Sequence, residues 1–345
     1  MSVTISGTAG VTFNDASTQA TAATGFGFKN RIQNGSMVVD QRNAGASQTF
    51  TAAGALAYTV DRWYGYCTGA NVTGQQVAGS GAVQNRYRFT GAASVTAVGF
   101  GQRIEQKNSY DLAGSTCTLS ADLAISATLT TVTWTAYYAT TTADTFGSLA
   151  SPTVTSIATG TFTVSATVTN FTTNISIPAA ATTGIQILFT VGALTAGLTW
   201  TIGNVQLEKG STATSFDYRP YGTELQLCQR YYEKSYNIDV APATLTNVSS
   251  RLASNSTSFT AGVSTRNFLL GSSFSVTKRI TPAVVFYDPT AGTINTISAY
   301  SAGTQYTVSS YQSGGASSIG SYINTSSSPS TSEASIFHFT ASAEL

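Results

Sequence analysis

The stretch CTLSADLAI, residues Cys117–Ile125, places Cys, Leu, Ala, Leu and Ile at every second position. Successive side chains of a β-strand point to opposite faces, so this period puts one face on a core and leaves the other in water. Residues 28–222 contain several more runs of this kind. They are Phe162–Val168, which alternates perfectly, Val132–Tyr138, which alternates less strictly, Ile185–Val191 and Leu198–Ile202. So many antiparallel strands predict an all-β chain whose residues 28–222 form a jelly-roll β-sandwich.

The composition limits the classes of partner. Charged residues make up 9% of the 345 residues, against roughly 25% in an average soluble protein. The net charge of +1 offers no basic field for nucleic acid or an anionic membrane surface. The sequence has no stretch of about 18 apolar residues, so we expect no transmembrane helix. Low charge with wide Thr, Ala and Val faces favours burial between copies of the chain, and we predict a homotrimer.

Residues 1–27 differ from the rest of the chain. Val3–Gly7 and Gly10–Phe13 are two brief strand-like runs that would be unstable alone. One interpretation is an N-terminal arm that docks on a partner or on its own copies. The other is a frayed tail.

A short linker helix is predicted over residues 223–234, after the helix breakers Pro220 and Gly222. Thr223 is a candidate N-cap with Gln226 three residues later. Residues 235–345 then predict a small C-terminal β-sandwich. Its strand-like runs are Ser258–Val263, Ala283–Tyr287, Gln305–Val308 and Ser335–Thr340.

Few residues suggest catalysis. The one histidine, His338, alternates with phenylalanines in a strand-like run and has no local catalytic partner. The carboxylates are few and spread out, although the sequence alone leaves open a pair that meets in the fold. We therefore predict no enzyme activity, no metal site and no cofactor. Cys67, Cys117 and Cys228 lack metal-binding spacing; buried free thiols and a Cys67–Cys117 bridge both remain open.

Aromatic residues are the candidates for glycan binding, because ring faces bind sugar C–H groups while neighbouring polar groups fix hydroxyls. Trp63 follows Asp61 and Arg62 in such a setting. The C-terminal module adds rigid aromatics among adaptable small polar residues, as recognition loops do. They are Tyr300, Tyr306, Tyr311 and Tyr322. The alternative for all five is ordinary packing in a core, on a surface or between subunits.

Several segments resemble phage structural proteins. The N-terminal runs through Ser17–Gln19 are similar to the first segment of many phage tail fibres. Asn34–Arg42 followed by Asp61–Trp63 resembles the opening of a carbohydrate-binding-module-like jelly roll in phage tail and minor structural proteins. The most specific resemblance is to the segment that closes the jelly roll in those proteins. Further, weaker resemblances lie closer to the C-terminus. These segments are Val205–Gly210, Phe216–Gly222 and Cys228–Tyr232, and then Ser275–Pro282 and Ala341–Leu345.

The resemblance implies a structural subunit of a bacteriophage tail fibre, assembled in the bacterial cytoplasm and located on the virion. It implies attachment to tail or baseplate proteins through residues 1–27, trimeric assembly, and receptor binding on a host-surface glycan. Similar jelly rolls often hold a structural calcium ion, but no acidic cluster here argues for one. A capsid head fibre or decoration protein, a glycan depolymerase and a simple carbohydrate-binding module are the alternatives.

Overall fold

The computed structural model describes residues 28–52, 56–255, 267–269, 273–300, 303–320, 322–325 and 334–345, and the backbone of strand residues 4–6, 10–12 and 18–19. The side chains of residues 254, 255, 267–269 and 322 are not part of this description. The predicted strand Ser258–Val263 lies outside the described residues. The regular secondary structure of the described residues is almost entirely antiparallel β-strand, which confirms the predicted fold class.

The first part of the chain holds fifteen of the strands. They are β1 Thr4–Ser6, β2 Gly10–Thr12, β3 Thr18–Gln19, β4 Gln48–Phe50, β5 Ala57–Tyr58, β6 Trp63–Thr68, β7 Val72–Ala78, β8 Asn85–Thr90, β9 Ala97–Ile104, β10 Thr116–Ile125, β11 Thr131–Ala139, β12 Val154–Thr163, β13 Thr169–Ser176, β14 Ile185–Val191 and β15 Thr199–Lys209. A short helix α1, Gln106–Ser109, continues into a 3-10 turn at Tyr110–Leu112.

The remaining elements lie beyond residue 220. They are the helix α2 Tyr221–Gln229 and the strands β16 Tyr232–Lys234, β17 Arg251–Asn255, β18 Asn267–Leu269, β19 Ala283–Tyr287, β20 Thr296–Ala299, β21 Gln305–Tyr311, β22 Tyr322–Thr325 and β23 Ser335–Ser342. No helix among the described residues is long and apolar enough to cross a membrane.

Strands β1, β2 and β3 form a small antiparallel sheet. Both strands predicted in the first 27 residues are therefore present, and β3 is a third that the sequence pattern did not indicate. The docking role of this segment stays a prediction.

Two six-stranded sheets form the jelly roll. The first has the order β13-β10-β15-β8-β7-β4, and the second has the order β12-β11-β14-β9-β6-β5. All five alternating side chains of Cys117–Ile125 are buried, as the period-two pattern predicts, but the opposite face is not left in water as expected, because Thr118, Ser120 and Ala124 are buried as well. The aromatic core joins the sheets: Phe89 of the first sheet lies 5.4 Å from Phe100 of the second, ring centre to ring centre.

The C-terminal module is organised around β23, which pairs with β16, β17, β19 and β20. The sheet continues from β17 through β18, β22 and β21 to β20. A second hydrophobic cluster, separate from the jelly-roll core, lies beneath it and includes Phe286, Ile297, Ile323, Phe337 and Phe339.

The predicted linker helix was wrong at both ends. Helix α2 begins at Tyr221 with Pro220 as its N-cap, so Thr223 lies inside the first turn. The helix ends at Gln229, because Tyr232–Lys234 pairs as strand β16 with the end of β23. Sheet pairing here overrides the predicted continuation of the helix to residue 234.

A buried polar junction joins the jelly roll to the C-terminal module. Arg62, almost fully buried, pairs with Glu344, and its guanidinium lies 3.4 Å from the ring centre of Tyr231. Arg42 pairs with the same carboxylate at 3.0 Å and lies 3.7 Å above the ring of Tyr232. Residues of four segments that carry the resemblance to phage structural proteins therefore meet at this junction.

The cysteines do not pair. Cys67 lies in the second sheet and Cys117 in the first, and all three cysteines are buried free thiols. Burial raises the pKa of the Cys228 thiol well above its ordinary value, which keeps it protonated and unreactive.

Candidate functional site

Trp63 is a core residue, so its predicted role in sugar binding is wrong. Its exposed fraction is 0%, and its ring stacks on Phe100 with ring centres 4.7 Å apart. The indole Nε1 donates a hydrogen bond to the Asn34 carbonyl at 3.0 Å. Neither face of this ring can reach a ligand, and the alternative role in core packing holds.

The four C-terminal tyrosines do not form one surface. Tyr300 is 66% exposed, whereas Tyr306 is 5% exposed and belongs to the second core cluster. Tyr311 is half-buried, packs edge-on against Phe286 and accepts a hydrogen bond from the Val284 amide at 3.2 Å. The side chain of Tyr322 lies outside the described residues. Of the four, Tyr300 alone is described as a ring exposed to solvent.

The outer face of the second jelly-roll sheet offers a different set of aromatics. Strand β6 turns Trp63 to the core and therefore turns Tyr64 and Tyr66 to the opposite face. Tyr66 lies opposite Gly99 of β9, and Tyr64 lies opposite Gly101. Paired side chains of neighbouring strands share a face, so both rings lie on the outer face of this sheet, where Tyr64 is itself buried and Tyr66 is half-buried.

The two glycines leave room for the tyrosine rings. A β-carbon built on Gly99 would meet the Tyr66 hydroxyl at 2.7 Å and the ring carbons closer still. A β-carbon on Gly101 would meet the Tyr64 hydroxyl at 2.5 Å and its Cζ at 2.7 Å. Each ring thus lies flat across a glycine, an arrangement that any larger residue at position 99 or 101 would prevent.

A pocket of about 200 Å³ opens on this face, and we call it the Tyr66–Tyr137 pocket after two of its lining residues. Its aromatic and apolar lining comes from the sheet and from the loop between β11 and β12. The lining residues are Tyr66, Tyr137, Leu188, Val154, Phe146, Leu149 and Pro152, together with the polar Arg103, Gln186 and Ser148. Burial raises the pKa of Tyr66, and the adjacent Tyr137 hydroxyl raises it further, so the phenol stays neutral at physiological pH.

Three hydrogen bonds hold Arg103 at the edge of this pocket. Its Nε donates to Gln186 Oε1 at 3.0 Å, and Nη2 donates to the Gly147 carbonyl at 2.7 Å. Its Nη1 donates to the Leu345 carbonyl at 2.8 Å. A planar guanidinium fixed in this way is preorganised to orient a polar ligand group.

The loop over residues 140–153 forms one wall of the pocket. It folds back through an antiparallel bridge between Gly147 and Pro152, and the Thr153 amide donates to the Phe146 carbonyl at 3.0 Å. Gly147 has a φ of 72°, and a β-carbon there would strike the Ser151 carbonyl. Glycine at position 147 therefore permits the turn that brings Phe146 to the pocket.

The pocket lining includes no carboxylate. The nearby acids have structural partners: Glu105 accepts two hydrogen bonds from Arg230, at 2.7 and 3.0 Å, and Asp144 accepts one from the Gln106 amide at 2.6 Å. Within the described part of the chain, no three His, Cys, Asp or Glu side chains are grouped so that they could hold a metal ion. The aromatic rings, one guanidinium and one amide suit recognition of a neutral polar ligand with an apolar face.

The sequence-based candidates missed this site, although one signal for it is present in the sequence. Gly99-Phe100-Gly101 puts two glycines in the interior of a strand, where they weaken it unless another group approaches closely. Tyr64 and Tyr66 occupy the alternate positions of β6 and are the groups that approach.

Comparison with known proteins yields likenesses of fold only. No protein-family model matches the chain, and no curated protein is similar in sequence. A structure described as the enzymatically active domain of bacteriophage CBA120 tailspike protein 4 is 15% identical, with a TM-score of 0.31 over 53% of this chain and 22% of that one. This chain thus matches less than a quarter of the tailspike domain.

Two carbohydrate-binding modules are similar over most of their own length. A CBM4 structure is 18% identical, with a TM-score of 0.29, over 43% of this chain and 95% of the module. The C-terminal family 22 module of Clostridium thermocellum Xyn10B is 12% identical, with a TM-score of 0.31, over 50% of this chain and 98% of the module. Scores of this size do not establish a family, and the function rests on the pocket itself.

Proposed function

We propose that this chain is a non-enzymatic structural subunit of a bacteriophage tail fibre whose jelly roll binds a host-surface glycan in the Tyr66–Tyr137 pocket. One observation carries the binding role: two half-buried tyrosines lie beside an immobilised arginine and an amide on the open face of a β-sheet. Ring faces bind the C–H surface of a sugar, and the guanidinium and amide bond to its hydroxyls.

Gln186 supplies the adaptable polar group. Its Oε1 is occupied by Arg103, while its Nε2 donates to no described residue. That N–H is therefore free for a sugar oxygen. Arg103 fixes the orientation of the amide, because only Oε1 can accept the guanidinium proton.

The proposed role on the virion is supported by features that favour self-association and by the segments that resemble phage structural proteins. In this proposal, residues 1–27 attach to tail or baseplate proteins, and the chains associate as homotrimers in the bacterial cytoplasm before joining the tail. Near-neutral charge supports self-association, because like copies with a net charge of +1 hardly repel each other. Three strongly exposed aliphatic side chains of one short stretch, Leu245, Val248 and Leu252, suit burial against a second copy.

A glycan depolymerase is the competing function from the enzyme class. It needs two carboxyl groups roughly 5–10 Å apart across the bound sugar. Since none lines the Tyr66–Tyr137 pocket, binding without cleavage is the favoured activity.

The test compares Tyr137→Ala with Tyr110→Ala. Tyr110 is a 59% exposed tyrosine outside the pocket and serves as the matched control. We expect purified host-surface polysaccharide to bind the wild type and Tyr110→Ala equally, and Tyr137→Ala at least about tenfold more weakly, as loss of a stacking ring implies. Equal binding by both variants would refute this pocket, and the appearance of new reducing ends would refute the non-enzymatic role.

A further inference from the structure

The C-terminal module reaches one side chain of the Tyr66–Tyr137 pocket. Residues 343–345 follow strand β23 and contact the second jelly-roll sheet. The main-chain oxygen of Leu345 accepts hydrogen bonds from Arg103 Nη1 at 2.8 Å and from the Tyr58 hydroxyl at 2.6 Å. Arg103 lines the pocket, whereas Leu345 does not. A residue outside the jelly roll therefore helps to fix a polar group of its binding site.

Arg103 depends on this contact, because only one of its three acceptors belongs to the sheet. Gln186 lies on β14, but the Gly147 carbonyl comes from the loop over residues 140–153, and the Leu345 oxygen comes from the C-terminal module. A long arginine side chain has many rotamers and stays in one of them only while its contacts hold it there. Loss of the Leu345 oxygen removes one of three restraints, so the guanidinium is then less well preorganised for a ligand.

Arg279 ties residues 343–345 to the loop that forms the wall of the pocket. Its Nε donates to the Ala343 carbonyl and its Nη2 to the Glu344 carbonyl, each at 3.1 Å. Its Nη1 lies 3.8 Å from Asp144 Oδ2 in the loop over residues 140–153. The side chain is 11% exposed and is not part of the pocket lining. One guanidinium thus contacts both segments that supply Arg103 with acceptors from outside the sheet.

Both sides of this contact are anchored to the jelly roll. The Arg279 amide donates to the Arg230 carbonyl at 3.0 Å, and the Arg230 guanidinium pairs with Glu105 at 2.7 Å. On the loop side, Asp144 Oδ1 accepts from the Gln106 amide at 2.6 Å. Arg279 therefore lies where the loop, the start of helix α1 and the C-terminal module come together.

We propose that the C-terminal module positions the glycan site of the jelly roll, with Arg279 as a positioning residue that acts on Arg103 through residues 343–345 and through the loop. This inference rests on the proposed glycan-binding function and adds its regulation. Affinity falls as the fraction of chains with a docked C-terminal module falls. Coupling of this kind is reciprocal, so a glycan bound in the pocket also strengthens the docking of the module.

The first test compares Arg279→Leu with Ile297→Ala in the full chain. Ile297 belongs to the second hydrophobic cluster, so its truncation lowers the stability of the same module, and that cluster shares no residue with the pocket lining or with residues 343–345. We expect Arg279→Leu to bind purified host-surface polysaccharide at least about fivefold more weakly than the wild type, the lower end of typical coupling between sites. Ile297→Ala should bind like the wild type wherever circular dichroism shows it folded. Equal affinities of the two folded variants would overturn the proposal.

Hydrogen–deuterium exchange tests the positioning without a ligand. Arg279→Leu should speed exchange in the loop over residues 140–153 more than Ile297→Ala does, including exchange of the Thr153 amide that donates to the Phe146 carbonyl. If the wild type binds no polysaccharide, the proposed function fails, and loop exchange alone then decides whether Arg279 holds the pocket wall. Equal loop exchange in the two variants would refute the positioning role.

The reciprocal effect separates coupling from a merely structural role. Saturating polysaccharide should slow exchange of residues 343–345 in the wild type, where the Ala343 amide donates to the Tyr231 carbonyl at 2.7 Å. Tyr137→Ala should lose this response at the same polysaccharide concentration. A wild type that binds polysaccharide without slower exchange in residues 343–345 would refute the coupling.

Arg279→Lys provides the test if Arg279→Leu does not fold. It keeps a positive charge beside Asp144, but one ammonium group cannot reproduce the planar fork that bonds the Ala343 and Glu344 carbonyls together. We expect this variant to bind polysaccharide more weakly than the wild type and to exchange faster in the loop. Wild-type affinity together with wild-type loop exchange in Arg279→Lys would contradict the proposal.

Discussion

The ring of Tyr66 lies across the α-carbon of Gly99, in the space that a side chain at position 99 would occupy. Gly99→Ala should therefore displace the ring, destabilise the fold by about 1–3 kcal/mol through overpacking and weaken glycan binding. Thermal unfolding and polysaccharide titration measure the two effects. Gly192→Ala is the matched control, because a β-carbon there meets nothing within 4 Å. Equal behaviour of the two variants would contradict the close approach of Tyr66.

Trp63 and Tyr137 should separate stability from binding. Trp63→Ala leaves a cavity beside Phe100 and is expected to lower the free energy of unfolding by about 3–5 kcal/mol. Trp63→Phe retains part of this packing, so its folded fraction should bind glycan like the wild type. Tyr137→Ala should do the reverse, keeping most of the stability and losing binding. Urea denaturation measures the stability of each variant, and polysaccharide titration at 25 °C measures its binding. Loss of binding by folded Trp63→Phe would show that Trp63 contributes to the binding site after all.

The Arg62–Glu344 pair should be a strong determinant of stability. Both side chains are nearly buried, so Glu344→Gln leaves the Arg62 charge without its counter-ion and should cost about 3–5 kcal/mol. Asp111→Asn breaks the much more exposed pair with Arg31 and should cost less than about 1 kcal/mol. Urea denaturation monitored by tyrosine fluorescence gives both values. A Glu344→Gln cost no larger than that of Asp111→Asn would show that the junction does not depend on this pair.

His338 should make stability depend on pH. Its Nε2 must donate to the Thr246 carbonyl at 2.9 Å, so its Nδ1 accepts from the Ser235 hydroxyl at 2.9 Å, and this requires a neutral ring. Burial lowers the pKa of His338 below 6.5, so below pH 6.5 the unfolded chain binds the proton more readily. The stabilisation is complete above pH 6.5 and is lost as the pH falls toward the lowered pKa. His338→Gln should have a smaller slope between pH 7.5 and 5; parallel curves would contradict this assignment.

The exposed aliphatic residues of the C-terminal module should control assembly. Leu245→Glu combined with Val248→Glu places charges in the contact proposed between copies and should convert the proposed trimer to monomer. Ile280→Glu changes a 49% exposed isoleucine elsewhere in the chain and should leave the trimer intact. Light scattering at micromolar concentration gives the mass. A wild-type monomer, or a trimer in all variants, would contradict this contact.

Much of the fold could be predicted from side-chain period. Cys117–Ile125 alternates so regularly that strand β10 appears within one residue of its predicted bounds. The period could not tell which aromatics of Trp63–Thr68 face outward, because this strand carries large rings at alternating and adjacent positions. A shift of one residue exchanges the faces, and only pairing with Gly99 and Gly101 resolves it. The end of α2 was predicted wrongly for a similar reason. Residues 232–234 form a strand because they pair with β23, which lies more than a hundred residues later in the chain.

The lining of the Tyr66–Tyr137 pocket comes from two kinds of structure, a β-sheet and a loop. The tyrosines stand on a rigid sheet, whereas Phe146, Ser148 and Leu149 belong to the loop over residues 140–153. Loops tolerate insertion and substitution far better than paired strands. In the proposed tail fibre, a phage could therefore shift its host range by exchanging a single loop, while the aromatic floor and the assembly of the particle stay as they are.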